Sequence, residues 1–327
     1  MRRAFVTGGS GFVGRNLIAA LAERDVEVRA LARSTGAEET VRLAGAHSTA
    51  RGDLDSTAVM TEAMRDCDVV FHAAAKVDVW GDPADFHRIT VQGTQNVLDA
   101  AKSARVKRLV HVSTEAVLAG GPPIIDANET WPYPAKPAGL YPLTKGLAEQ
   151  RVAAANSPAL TTVAVRPPLI WGKGDSSVLP KIAEAVRRGQ WMWFGGGHYL
   201  HATTHVANVC HGLLLAAEKN CGGEIYFITD GVPQDFRDFI TAQLRAIGVD
   251  RESRSVPYGV ASALASGGEW LWRMLGLKSM PPLPRSVLYL MGQKLTVNDA
   301  KARRELGYAP VMSVERGLAE LAPTPRR

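Results

Sequence analysis

The chain has 327 residues, 46% of them hydrophobic and 21% charged, with three cysteines and a formal net charge of +6. That length and apolar content suit one large or two coupled globular domains with an ample core, and exclude a disordered or fibrous chain. Cys67, Cys210 and Cys221 are too few and too irregularly spaced for a disulfide framework or a zinc site, and fit a reducing, cytoplasmic compartment.

Met1-Arg2-Arg3 leads straight into a strand, without a secretory apolar region. Arg3-Ala4-Phe5-Val6 reads as that strand and runs into Thr7-Gly8-Gly9-Ser10-Gly11-Phe12-Val13-Gly14. An amphipathic helix follows through Leu17, Leu21 and Ala22. Gly8, Gly11 and Gly14 permit a tight turn, close approach of backbone to a pyrophosphate, and close helix–strand packing; Ser10, Phe12 and Val13 complete the turn. The helix start offers free N–H groups and a positive dipole end to the phosphates. A second strand, residues 26–31, is expected to end beside the adenosine ribose. An acidic residue there would favour NAD, but the chain has Arg33 and Ser34, which suit a 2′-phosphate and favour NADP over NAD. After a third strand, Asp53 is placed to accept from the adenine amino group, with Leu54 beside it and Asp55 as a helix cap. Residues 68–72 form a fourth strand, and the small Ala73, Ala74 and Ala75 let the backbone run against the cofactor. Lys76 and Trp80 come next, within reach of a substrate.

A further strand ends in Ser113-Thr114, with Glu115 adjoining the pocket. After a turn-rich loop (Gly120-Gly121-Pro122-Pro123 to Trp131-Pro132-Tyr133-Pro134) expected over the cleft comes Tyr141-Pro142-Leu143-Thr144-Lys145. Tyr141 and Lys145, four apart on a helix, share a face. An ammonium near a phenol favours the phenolate, and a hydroxyl from Thr114 would polarise the same substrate oxygen. These groups move a proton while a hydride moves elsewhere. A strand over 162–165 ends at Arg166-Pro167-Pro168, after which a smaller substrate lobe is expected, giving an α/β chain of 1–172 and an interleaved 173–327. Trp171, Trp191, Trp193, Phe194, Tyr199, Trp270 and Trp272 follow; as a group they suit a greasy cleft, one by one plain core. His198, His201 and His205 read as surface or packing residues and not as metal ligands. From Arg251 on there are twelve Lys/Arg against six Asp/Glu, the whole of the +6 excess. With Trp270 and Trp272 nearby, this stretch reads as a cap over the cleft or as a peripheral membrane contact. Nothing in it has a nucleic-acid pattern.

These pieces, with Gly52-Asp53-Leu54, Phe71-His72-Ala73, Gly93-Thr94-Gln95-Asn96-Val97, Arg166-Pro167-Pro168-Leu169-Ile170-Trp171-Gly172 and Leu306-Gly307-Tyr308, resemble the extended short-chain dehydrogenases/reductases, and within them the 3β-hydroxysteroid dehydrogenase group with its bacterial β-keto acid reductases. The resemblance implies a Rossmann-type doubly wound parallel sheet with a smaller, mostly helical C-terminal lobe. It implies Thr114 as the hydroxyl, Tyr141 as the acid/base, Lys145 as the ribose-binding, pKa-lowering group, and Pro167 and Leu169 flanking the nicotinamide, with Ser113 nearby. It further implies reversible oxidation of a secondary alcohol on an apolar, steroid-like or β-keto acyl substrate, and a homodimer of the kind common in such enzymes. The alternatives are an NDP-sugar epimerase or dehydratase and a non-catalytic NADP-binding sensor. Two departures stand out. Thr90 replaces a usual asparagine, and the arginine by which sugar-nucleotide members grip a diphosphate is missing near His201-Ala202-Thr203-Thr204-His205.

Overall fold

The computed structural model describes residues 1–277 and 279–322. Of the basic C-terminal stretch, Lys278, Arg326 and Arg327 lie outside the described residues. In chain order the first half comprises β1 (Arg3–Thr7), α1 (Phe12–Ala22), β2 (Glu27–Ala32), α2 (Thr35–Leu43), β3 (Ser48–Arg51), α3 (Thr57–Met64), β4 (Val69–His72) and a short α4 (Pro83–Phe86). A π-helical turn (His87–Gln92) leads into α5 (Gly93–Ser103), then β5 (Arg108–Val112), a 3-10 turn (Glu115–Leu118), β6 (Ile124–Ala127), α6 (Leu140–Ala154) and β7 (Thr161–Arg166). The second half adds β8 (Leu169–Trp171), α7 (Leu179–Arg187), β9 (Met192–Phe194), β10 (Leu200–His201), β11 (Thr203–His205), α8 (Val206–Glu218), β12 (Ile225–Phe227), β13 (Gln234–Asp235) and α9 (Phe236–Ala246). It ends with β14 (Arg254–Val256), α10 (Tyr258–Met274), α11 (Arg285–Met291), β15 (Leu295–Val297), α12 (Ala300–Leu306) and α13 (Val314–Leu321).

Seven parallel strands form the main sheet in the order β12-β7-β5-β4-β1-β2-β3. Its central strands are continuous apolar runs because both faces are covered. The two-residue period then sorts the side chains. Ala4, Val6, Phe71 and Val110 pack with Leu17 and Leu21 of α1 and Val209 and Leu213 of α8. Phe5, Val70 and Leu109 face the other way, onto Met60 and Met64 of α3 and Val97 and Leu98 of α5. The halves interleave: β12 and α8, both past residue 172, belong to this layer, whereas β6 pairs with β15 in a small second sheet. The C-terminal lobe has its own core, where Trp193, Phe236 and Phe239 meet Ile182 and Val186 of α7.

Candidate active site

Strand order reverses at β1, which sits between β2 and β4, so a crevice opens beyond the C-terminal ends of β1 and β4. The turn that crosses it tolerates few residues. Gly8 has φ +70°, and a Cβ there would lie 2.6 Å from the Ala74 nitrogen; a Cβ on Gly14 would lie 2.1 Å from the Gly8 oxygen. Both glycines are therefore demanded by the protein's own packing, which presses Ala73 and Ala74 against the turn. Gly11 is freer, since a Cβ on it would meet only the Gly8 oxygen at 3.3 Å. It begins α1 with no side-chain cap, which leaves the helix-start amides available, and the Ser113 hydroxyl just after β5 is buried with no partner among the described residues. Those features fit a dinucleotide: donors for a pyrophosphate at one end and an unsatisfied hydroxyl at the other.

At the adenosine end, Arg33 is exposed and has no ion-pair partner among the described residues. Ser34 caps α2, its hydroxyl accepting from the Ala37 amide at 3.3 Å. Asp53 folds its own turn, accepting from the Ser56 hydroxyl at 2.9 Å and the Asp55 amide at 3.0 Å. Asp55 is not the helix cap expected: α3 begins after Ser56, and the Asp55 carboxylate instead pairs with Arg88 at 2.7 Å. Leu54 is buried against Gly93, and its carbonyl accepts from Asn96 at 2.8 Å.

Thr114 and Glu115 lie just past the end of β5, where α6 packs on the turn they begin. The Thr114 hydroxyl donates to Glu115 at 2.7 Å and accepts from the Ala116 amide at 3.2 Å, capping the 3-10 turn. The helix α6 carries Tyr141. Burial, reinforced by the Glu115 carboxylate, pushes the Tyr141 pKa above its ordinary value, against the effect of Thr114. The Lys145 amine is held elsewhere, donating to the Val112 carbonyl at 2.6 Å and to His111 Nε2 at 3.2 Å. Burial lowers its own pKa to about 8, with Glu149 opposing. Burial likewise pushes Glu115 up to about 7.

Beneath this cluster lies a polar lattice that sequence reading missed. Thr94 directs its proton to the Thr90 carbonyl at 2.6 Å, so His72 Nε2 donates to Thr94 at 2.9 Å and His72 Nδ1 accepts from Thr7 at 2.7 Å. The His72 ring lies 5.1 Å from that of His111, tilted at 37°, and burial, then Lys145, depresses its pKa to about 3. Thr90 keeps a backbone contact, accepting from the Lys76 amide at 3.1 Å. On α6, one turn past Lys145, Glu149 forms a buried fork with Arg166 (2.6 and 2.9 Å) and accepts from the Tyr133 hydroxyl at 2.6 Å. The signal for this pair was present: Glu149 shares the Tyr141/Lys145 face, and Arg166 ends the strand before Pro167.

On the substrate side, Lys76 pairs with Asp78 at 2.9 Å beneath which the Phe86 ring lies 5.2 Å away, and Trp80 is half-buried. Trp171 is held by the lobe's own packing. It is buried, donates to Asp230 at 2.6 Å, and packs edge-on to His205 and Phe239. Pro167 accepts from the Glu115 amide at 3.4 Å, and Leu169 in β8 is half-buried. Trp191, Trp193 and Tyr199 belong to the lobe's core, whereas Trp270 is exposed. His201 packs on Phe236, and His205 caps α8. Exposed His198 lies 3.2 Å from Asp235, the cap of α9, with Asp238 close by. α11 sets Ser286 against Gly139, the residue just before α6, and the Tyr289 hydroxyl donates to the Pro122 carbonyl at 2.6 Å. The α10–α11 unit therefore sits beside the start of the tyrosine helix and the turn-rich loop.

The chain is similar over nearly its whole length to known proteins. The family model described as the 3-beta hydroxysteroid dehydrogenase/isomerase family matches residues 5–258. The 4-hydroxy-2-methyl-3-oxo-4-farnesyl-3,4-dihydroquinoline-1-oxide ketoreductase of Stigmatella aurantiaca is 49% identical over 98% of this chain and 95% of its own. The 2-alkyl-3-oxoalkanoate reductase of Stenotrophomonas maltophilia is 36% identical over 98% of each. Among solved structures, a double mutant of the dTDP-glucose 4,6-dehydratase DesIV from Streptomyces venezuelae, with NAD bound, is 25% identical with a TM-score of 0.75, covering 98% of this chain and 95% of its own.

Proposed function

The chain belongs to the 3-beta hydroxysteroid dehydrogenase/isomerase family, and on that premise we propose how its site works. It is a nicotinamide-dependent oxidoreductase that interconverts a ketone and a secondary alcohol. The substrate we propose is apolar, a β-keto acyl compound or a fused-ring ketone. The ketoreductase and oxoalkanoate reductase relatives support this, as does the absence of a diphosphate-gripping arginine near His201.

Bound nicotinamide supplies the hydride. Tyr141 gives a proton to the carbonyl oxygen, and its raised pKa keeps that proton in place at neutral pH, as an acid in ketone reduction requires. Thr114 hydrogen-bonds the same oxygen as charge develops there. Lys145, Ser113 and the carbonyls near the end of β5 hold the nicotinamide ribose, while Gly8, Ser10, Gly11, Phe12, Val13 and Gly14 hold the pyrophosphate. Pro167 and Leu169 flank the nicotinamide, and Ala73, Ala74, Ala75, Asp53 and Leu54 line the adenosine side. Arg33, exposed and without an ion-pair partner among the described residues, with Ser34 at the end of β2, supports NADP over NAD.

What supports this reading is the buried Thr114 hydroxyl just past β5, bonded to Glu115 at 2.7 Å and to the Ala116 amide at 3.2 Å, with α6 and its Tyr141/Lys145 face packed on the turn that follows. The experiment is NADPH oxidation followed spectrophotometrically with androstenedione, ethyl benzoylacetate and tetralone, repeated with NADH. Tyr141→Phe is expected to lower turnover at least ~10²-fold with NADPH binding retained. Robust turnover in that variant removes Tyr141 from the chemistry. A peripheral membrane contact is supported by the outer face of α10 and the turn after it. There Val260, Leu264, Leu271, Met274 and Leu275 are exposed at helical spacing, and no described helix is long and apolar enough to cross a membrane. Sedimentation with anionic lipid vesicles tests it, and equal recovery with and without vesicles rejects it.

A further inference from the structure

Glu115 is a buried carboxyl with no arginine or lysine bonded to it among the described residues, placed against the one hydroxyl the mechanism needs. A hydroxyl has one proton and two lone pairs. Thr114 uses its proton on Glu115 Oε2 at 2.7 Å and one lone pair on the Ala116 amide at 3.2 Å. In that state its proton points at Glu115 and is not offered to a ketone oxygen.

Protonating Glu115 reverses the arrangement. The carboxyl O–H donates to Thr114 and takes a lone pair, so Thr114 turns its own proton outward. We propose that Glu115 sets the hydrogen-bond polarity of Thr114, so that the site reduces ketones only while Glu115 carries its proton. This rests on the roles given above to Tyr141 and Thr114. Glu115 is thus a positioning residue. It loses no proton in the reaction, which moves a hydride to carbon and the Tyr141 proton to oxygen.

Burial raises Glu115 to about 7, against hydrogen bonds from Thr114 and from the amides of Glu115 and Ala116, so the switch falls in the working pH range. α6 is the helix packed on the 3-10 turn, and its titratable groups are Tyr141, Lys145, Glu149 and Arg151, the last bonded to Gln95; Arg166 and Tyr133 bind Glu149 from β7 and the preceding loop. Tyr141 is pushed up out of that range and His72 down out of it, and Lys145 falls to about 8. A limb at about 7 therefore belongs to Glu115, and one near 8 to Lys145.

The test is the pH profile of kcat/KM for NADPH-linked reduction of ethyl benzoylacetate, androstenedione and tetralone. Wild type is expected to lose activity roughly tenfold per pH unit above that limb. Glu115→Gln, whose amide can donate to Thr114 as the protonated acid does, is expected to stay active and lose that limb while keeping the one near 8. Infrared difference spectra of the wild type, with its glutamates carbon-13 labelled, give a readout free of turnover: a protonated carboxyl band should titrate with the same midpoint. An active enzyme whose limb is unmoved by Glu115→Gln, or a wild type with no such band, overturns this inference and leaves the roles of Tyr141 and Thr114 standing. Wild-type inactivity with all three ketones overturns the parent reading, and this one with it.

Discussion

Glu149 and Arg166 are 0% and 1% exposed, joined by contacts of 2.6 and 2.9 Å, with the guanidinium lying 5.5 Å from the Tyr133 ring and 5.4 Å from the Phe227 ring. Replacing one partner alone leaves a desolvated charge with nothing to balance it, at a cost of about 3–5 kcal/mol. Glu149→Leu also strips the Tyr133 hydroxyl of its acceptor. Replacing both, Glu149→Leu with Arg166→Met, removes both charges and refills the space, which costs far less and leaves the double variant within about 2 kcal/mol of wild type. Urea unfolding followed by circular dichroism on the four members of this cycle measures the coupling, expected at ~3 kcal/mol or more. Because Glu149 lies one turn beyond Lys145 on α6, kcat/KM should fall in each single variant and return in the double. Additive destabilisation, or a single variant within ~1 kcal/mol of wild type, refutes the reasoning: the pair would then be no more than a solvated contact.

Gly14→Ala places a Cβ 2.1 Å from the Gly8 oxygen and is expected to abolish NADPH binding, read as lost quenching of protein fluorescence. Gly11→Ala meets only a 3.3 Å contact within the protein, so it should fold normally and still bind cofactor poorly; tight binding in that variant would mean the turn does not touch the cofactor. Arg33→Asp is expected to shift the NADPH to NADH preference at least tenfold toward NADH, and an unchanged ratio of kcat/KM values removes Arg33 from cofactor selection. His72 has its folded pKa lowered from 6.5 to about 3 by burial, so its contribution to stability is whole above pH 6.5 and is lost as pH falls toward 3. Wild type should lose up to ~1.4 kcal/mol per pH unit more than His72→Gln over that window, and parallel urea midpoints would contradict it.

The glycine turn, the apolar strand runs and the Tyr141/Lys145 spacing are local features, fixed by sterics and helical period, and each was legible in the chain. Their consequences in space were not. Lys145 stood on the right face, yet its amine reaches the Val112 carbonyl, because a flexible stem takes the nearest buried acceptor. Trp171 looked like a pocket residue until Asp230, fifty-nine positions away, supplied a partner for its indole nitrogen. Asp55 looked like a cap until Arg88 came beside it. Spacing along the chain determined which elements form and which groups share a face. Burial and long-range partners decided the charge state and direction of each group, because both depend on atoms distant in sequence and on how completely water is excluded. Glu115 shows the difference: beside Thr114 in the chain it is an ordinary acid, and only the packed fold holds it near neutrality.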